Sequence, residues 1–202
     1  MKKENQVVGE LLAADREAVI TAWLAEVTGE SAGARGASAA DTRGEALELL
    51  RAFEAGLRAG GTAQTFDQTP WEATRQVLAR LSRTGAARGD AAGETSRFVL
   101  ALKRPLFDGL LRTPLGKDPA SLAAALWALS SLVDRMAQFT ATTWQQSREE
   151  ILQRQQQEVL ELSTPVVKLW DGVLALPMIG ALDSHRTQIV METLLQRIAE
   201  TG

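Results

Sequence analysis

One long stretch without a helix stop constrains the fold more than any other feature of this sequence. Between Asp118-Pro119 and Pro165 the chain has neither a glycine nor an internal proline, the residues that most often end a helix. Asp118 is a suitable cap and proline suits the first helical position. A buried stripe then follows at Leu122, Leu126, Leu129, Val133 and Met136. The sequence therefore predicts one long helix within a mainly α fold.

The second half of this helix changes character. In TWQQSREEILQRQQQEVLELS, Leu152, Val159 and Leu162 have the a and d spacing of a coiled coil, with glutamine and arginine between them. Such a narrow apolar line cannot be buried in a globular core, so we expect these three residues to form the seam of a homodimer. The alternative is a solvated connecting helix. Polar seam positions weaken a coiled coil and suit a helix that shifts register or splays.

Shorter amphipathic helices precede the long one and predict a helical bundle. Small-residue loops are expected at 29–41 and 84–93, with Asp41 capping the second helix and Gly60-Gly61 ending it. A Thr69-Pro70 start, with Glu72 reaching back to the cap, opens the third helix, and Pro105 should kink or split the fourth. The stripes of the first two helices are Val8, Leu12, Val19, Trp23 and Val27, and then Leu47, Leu50, Phe53 and Leu57.

Composition excludes several functional classes. The net charge of -3 and the pI near 5.4 offer no basic surface for nucleic acid or an anionic membrane. The absence of cysteine rules out disulfides and thiolate metal sites. No apolar run reaches transmembrane length and no signal peptide is evident, so a cytoplasmic protein is expected.

No catalytic or cofactor motif is present. The sequence lacks a Gly-rich phosphate loop, a G-x-S-x-G and paired histidines at ligand spacing, so an enzyme is not expected. The single histidine, His185, lies outside the bundle, and Met136 alone is a poor haem ligand, so no haem is expected. Four tryptophans are expected to pack in the core, although a small-molecule pocket stays open: Trp23, Trp71, Trp127 and Trp144.

The last forty-one residues follow a different period. After Thr164-Pro165, apolar residues flank Asp171-Gly172, a strong hairpin signal. Asp183 or Ser184 then caps a helix with an apolar face at Met191, Leu194, Leu195 and Ile198. Strand, turn, strand and helix make half of an α/β layer, which leaves a sheet edge and an apolar face uncovered.

This segment, LSTPVVKLWDGVLALPMIGALDSHRTQIVMETLLQRIAETG, resembles the start of the STAS domain of the RsbR and RsbRD proteins, the RsbT co-antagonists of the bacterial stressosome. The helical part is similar to the RsbRD input domain through Trp23, SRFVLALKR and the long exit helix. The resemblance implies an N-terminal bundle, globin-like or related, and an incomplete α/β STAS segment, so the chain is expected to be truncated. It also implies a scaffold that holds an RsbT-like serine/threonine kinase with an RsbS-like STAS paralogue.

The resemblance also implies a phosphorylation site. The family turn G-x-x-D-S/T matches Gly180 to Ser184, and its hydroxyl residue is phosphorylated by the partner kinase, which makes Ser184 the candidate. A phosphate at a helix N-terminus meets free backbone donors, and Arg186 is close in sequence. The alternative is that Ser184 only caps the helix.

Three domains are therefore expected, and two alternative functions stand. Residues 1–145 form the helical input domain, 146–163 the linker helix and 164–202 the STAS fragment. The first function is a non-catalytic sensor and scaffold subunit of a stressosome-type assembly. The second is a stand-alone dimeric ligand-binding receptor whose STAS segment is vestigial.

Overall fold

Helices dominate the computed structural model of the chain, which describes residues 3–30, 38–162, 166–176 and 184–201. In these ranges seven α-helices follow one another, with a two-stranded hairpin before the last. The chain divides into two compact units, Met1–Glu149 and Glu150–Gly202. The predicted fold class, mainly α with an incomplete α/β part, is confirmed.

The elements have the following bounds. The first unit contains α1 (Lys3–Glu30), α2 (Ala39–Arg58), α3 (Glu72–Arg88), α4 (Glu94–Leu100), α5 (Lys103–Leu111) and the first part of α6 (Pro119–Leu162). Short 3₁₀ turns lie at Ala63–Thr65, Thr69–Trp71 and Pro114–Lys117. The second unit contains the end of α6, β1 (Val167–Trp170), β2 (Val173–Ala175) and α7 (Ser184–Thr201).

Aromatic residues link the helices of the first unit. The Trp23 ring on α1 stacks on Phe98 of α4 with centroids 4.5 Å apart, and its indole N–H donates to the Phe98 carbonyl oxygen at 2.7 Å. Trp71 packs against Phe53 and Phe66. Trp23 and Trp71 are fully buried, so the prediction that they pack in the core is confirmed.

A buried carboxylate joins the first two helices. Glu54 on α2 is 4 % exposed at its side chain and accepts hydrogen bonds from Arg16 of α1, at 2.6 Å, and from Arg58 of its own helix. Arg16 follows Asp15, whose φ of -136° and ψ of 36° kink α1. Because an unpaired buried charge is costly, this pairing fixes the second half of α1 against α2.

The start of α2 differs from the prediction. Ser38, not Asp41, is the cap: its hydroxyl accepts the Asp41 N–H at 3.1 Å, and Asp41 accepts the Ser38 N–H at 3.3 Å. These reciprocal bonds form a capping box. The carboxylate of Asp41 therefore acts from the third helical position, where it also meets the positive end of the helix dipole.

The start of α3 also differs. Thr69 does not cap a helix, because Thr69–Trp71 is a 3₁₀ turn and α3 begins at Glu72. Glu72 does not reach back, since its carboxylate pairs with Arg75 and accepts from Gln76 at 3.0 Å. These hydrogen bonds, first that of Gln76 and then that of Arg75, lower the pKa of Glu72. Glu72 thus pairs with Arg75 and Gln76 in the first turn of α3 and does not form the predicted cap.

The predicted loop at 84–93 is too long. Helix α3 continues to Arg88 and ends at Gly89, whose φ of 81° is left-handed. Gly85 lies inside the helix, where a Cβ would lie 3.1 Å from the Asp90 carboxylate. Small residues here serve close packing within a helix, which composition alone does not distinguish from a loop.

Two other predictions are confirmed, the split at Pro105 and the cap at Asp118. Helix α4 ends at Leu100 and α5 begins at Lys103, which places Pro105 in the first turn of α5, where its missing N–H breaks no helical bond. At the start of α6, Asp118 Oδ1 accepts the Ala120 N–H at 3.3 Å. Its Oδ2 accepts the Ser121 hydroxyl at 2.5 Å.

The hairpin of the second unit has the predicted turn. Strands β1 and β2 are antiparallel, with Val167 opposite Ala175 and an irregularity between Lys168 and Trp170. Gly172 has a φ of 77°, the left-handed conformation that this turn requires. Helix α7 begins at Ser184, and the second cap candidate, Asp183, lies outside the described residues.

Candidate functional sites

The buried stripe of α6 changes its chemistry along the helix. Leu129, Val133 and Met136 are at most 3 % exposed. After Ala137, the next buried positions carry hydroxyl groups, at Thr140 and then at Thr143 and Ser147. Small hydroxyl side chains bury less apolar area than leucine or methionine, so this part of α6 gains less from packing.

A hydroxyl pair joins α6 to α4 at this change. The Ser96 hydroxyl donates to the Ala137 carbonyl oxygen at 3.0 Å, and its oxygen lies 2.9 Å from Thr140 Oγ1. Thr140 is fully buried. A buried polar contact is satisfied only in one alignment of the two helices, so this pair fixes the position of α6 along α4.

The predicted seam lies in the last part of α6. Leu152 is 44 % exposed, and the following positions to Glu158 are exposed as well. The backbone of Val159 and Leu162 continues α6, but their side chains lie outside the described residues. A single chain leaves Leu152 available for a partner, and the dimer seam stays a prediction.

The predicted phosphorylation site is at the start of α7. Ser184 is exposed and is the first residue of that helix. The rest of the matched turn, from Gly180 to Asp183, and the side chain of Arg186 lie outside the described residues. The first backbone N–H groups of a helix have no intrahelical acceptor and favour an anion, so a phosphate on Ser184 would be tolerated there.

A cavity that sequence reasoning did not locate lies in the first unit. Its volume is about 550 Å³, and it lies between α1, the turn after α2 and the start of α6. The described residues of its wall are small or aliphatic, apart from one tryptophan and three polar side chains. The lining residues are Val8, Leu57, Gly61, Thr62, Ala63, Gln64, Ala124, Ala125, Trp127, Ala128, Leu129, Ser131 and Leu132.

Trp127 lines this cavity, and its position contradicts the prediction. It was expected to pack in the core, yet it is 78 % exposed. The reason is that α6 buries the face of Ala125, Leu129 and Leu132, whereas Trp127 lies beside that face. The cluster of alanines around Trp127 in ASLAAALWALSS was the available signal, because small residues leave an indole uncovered.

Trp71 supports the part of the cavity wall that is formed by Gly61 and Thr62. Its indole N–H donates to the Thr62 carbonyl oxygen at 3.0 Å, and its ring lies so close to Gly61 that a Cβ there would be 2.5 Å away. Thr65 accepts the Thr62 N–H at 2.9 Å. Gly60 has a φ of 79°, which directs the chain from α2 into this turn. The wall is therefore fixed without a ligand.

Among the residues that the structure describes, no three histidine, cysteine or acidic side chains come together in a metal-binding group. Within the same ranges, no helix combines the length and apolar character needed to cross a membrane.

Comparison with known proteins gives two matches. The family of RsbT co-antagonist protein RsbRD N-terminal domains matches residues 17–159. A curated relative, the RsbT co-antagonist protein RsbRD of Bacillus subtilis (strain 168), is 35 % identical over 46 residues, which are 23 % of this chain and 16 % of the relative. The matched part is thus a small share of that relative's length. No solved structure matches the chain.

Proposed function

Because residues 17–159 place this chain in the family of RsbRD N-terminal domains, we propose that it is a sensor and scaffold subunit of a stressosome-type assembly. In this role the protein is not a catalyst. It regulates an RsbT-like serine/threonine kinase in a general stress response by holding the kinase until stress releases it. The assembly works in the cytoplasm.

The observation that carries this proposal is the continuity of α6. The helix begins in the first compact unit and ends in the second, over 44 residues from Pro119 to Leu162. At 1.5 Å per residue, such a helix is about 66 Å long. A helix rooted in an input bundle can pass a displacement to the segment that follows it, which suits a sensor subunit.

The chain comprises three domains in this proposal. Residues 1–145 are the input domain, 146–163 the linker helix and 164–202 the start of a STAS domain. The hairpin and α7 support the last assignment by their order of strand, strand and helix. Two copies pair through Leu152, Val159 and Leu162, and an RsbS-like STAS paralogue joins the kinase as a partner.

Phosphorylation of Ser184 is the first test of this role. The protein encoded by the whole gene is incubated with its RsbT-like kinase, and phosphate incorporation is measured by mass spectrometry. We expect phosphate on Ser184 in the wild type and its loss in Ser184→Ala, because the hydroxyl is exposed at the start of α7.

The matched control is Thr187→Val. Thr187 is another exposed hydroxyl in the first turn of α7, but it lies outside the family turn. Its replacement should leave phosphate transfer unchanged. Undiminished transfer to the Ser184→Ala variant would refute the assignment and leave Ser184 as a helix cap.

The cavity beside Trp127 favours a second candidate. A stand-alone dimeric receptor would need a ligand site in the bundle, and a volume of about 550 Å³ is in the range of small-molecule sites. The two candidates differ in their partners, because a receptor of this kind would bind neither the kinase nor the STAS paralogue. Sedimentation with those partners separates them.

A further inference from the structure

The cavity beside Trp127 has the size of a small-molecule site. Its volume is about 550 Å³, and ligand pockets in proteins have roughly 300 to 1,000 Å³. Its floor consists of the buried side chains Val8, Leu57, Leu129 and Leu132. The cavity is thus closed below by the core and open along the start of α6, where Ala124 and Ala128 are exposed.

Among the described residues that line the cavity, none has a charged side chain. Its polar side chains are Thr62, Gln64 and Ser131. Gln64 carries an amide and Ser131 a hydroxyl, and both groups can form hydrogen bonds with a ligand. A charged ligand would lose its water without gaining an opposite charge, which is costly. A neutral ligand with one or two hydrogen-bonding groups fits this wall.

Trp127 adds a flat face. Its side chain is 78 % exposed, the largest value among the exposed large apolar residues that the structure describes. An indole buries much apolar area when it is covered and prefers offset or edge-to-face contact with another ring. A ligand with an aromatic ring gains from both effects at this position.

The opposite wall is held in place without a ligand. Trp71 packs against Gly61 and binds the Thr62 carbonyl oxygen. Thr65 accepts the Thr62 N–H and so closes the turn between them. Binding therefore requires little ordering of this segment, which removes one of the usual costs of association.

From these features we infer that the cavity is a binding site for a neutral small molecule with an aromatic face, stacked on Trp127 and hydrogen-bonded by Gln64 or Ser131. The inference concerns binding alone and does not depend on the proposed stressosome role. A bound molecule would contact α1, the turn after α2 and α6 together. Its binding energy would thus depend on the alignment of α6, the helix that leaves the bundle.

The test uses N-phenyl-1-naphthylamine, a neutral aromatic amine whose fluorescence rises in apolar sites, with the whole chain. We expect a saturable rise with the wild type. Ala128→Phe, which fills the cavity from an exposed position, should abolish it. Trp127→Ala should weaken binding about tenfold, because the stacking surface is lost.

Ala123→Phe is the matched control. Ala123 is exposed on α6 like Ala128 but does not line the cavity, so this variant should bind as the wild type does. Circular dichroism verifies that each variant is folded. The inference is overturned if the wild type shows no saturable rise, or if folded Ala128→Phe binds the probe as well as Ala123→Phe does. A wild-type dimer that buries Trp127 and excludes the probe would also overturn it.

Discussion

Single residues determine how closely the helices of the first unit approach one another. Gly56 of α2 and Gly61 lie against the Trp71 ring, and added Cβ atoms would come within 2.4 and 2.5 Å of it. Gly109 of α5 lies equally close to Leu11 of α1, at 2.6 Å. At these positions glycine is required by a neighbouring side chain and not by a backbone angle.

Gly56→Ala tests this packing. The new methyl group would displace a fully buried tryptophan, so we expect the free energy of unfolding to fall by about 1 to 3 kcal/mol. The control is Gly44→Ala in the same helix, where a Cβ meets no atom within 4 Å. It should raise the free energy of unfolding by about 0.5 to 1 kcal/mol, because alanine favours a helix. Urea denaturation measures both, and equal effects of the two substitutions would contradict the packing account.

The capping box of α2 predicts a pH effect. The hydrogen bond from the Ser38 hydroxyl, and then that from the Ser38 N–H, lowers the pKa of Asp41. A lowered folded-state pKa stabilises the protein above the unfolded pKa of about 3.9. This contribution is lost as the pH falls through the folded value. Ser38→Ala should therefore raise the pKa of Asp41. It should also make the free energy of unfolding depend less on pH in the acid range.

Carboxyl chemical shifts measured by NMR during an acid titration report the pKa of Asp41. Ser121→Ala serves as the control, because Ser121 binds Asp118 at the start of α6 and not Asp41. An unchanged Asp41 titration in the Ser38→Ala variant would show that the box does not set its pKa.

Among the elements, those with a clear hydrophobic pattern or turn motif were predictable from the sequence. Helix ends that depend on a neighbouring side chain were not. The long helix, the split at Pro105 and the Asp171-Gly172 hairpin follow from local chemistry and are confirmed. The caps at Thr69 and Asp41 were wrong, because neighbouring side chains offered alternative hydrogen bonds. The Trp127 cavity was missed because its walls come from segments far apart in sequence, which periodicity cannot bring together.

The predicted dimer seam lies at the end of α6. Leu152→Asp places a negative charge on the proposed seam, where two copies would repel each other. We expect the dimer dissociation constant to rise at least about tenfold in analytical ultracentrifugation. Leu111→Asp is the control, since Leu111 is 55 % exposed on α5 and lies outside the seam. An equally strong dimer in both variants would assign pairing to another surface.

At the scale of the whole molecule, the family and the continuous α6 helix both support the proposed scaffold role. A helical bundle with its own core is joined covalently, through α6, to a hairpin and helix with exposed apolar residues. These residues include Leu169, Trp170, Met191, Leu195 and Ile198. Such surface needs further structure or a partner to cover it, which a scaffold assembly would provide.

The most direct test of this account is particle size. The protein encoded by the whole gene is mixed with its RsbS-like STAS partner and measured by analytical ultracentrifugation, with and without the RsbT-like kinase. The account predicts a particle far larger than a dimer that also binds the kinase. A simple dimer under all conditions, with the kinase sedimenting free, would contradict it.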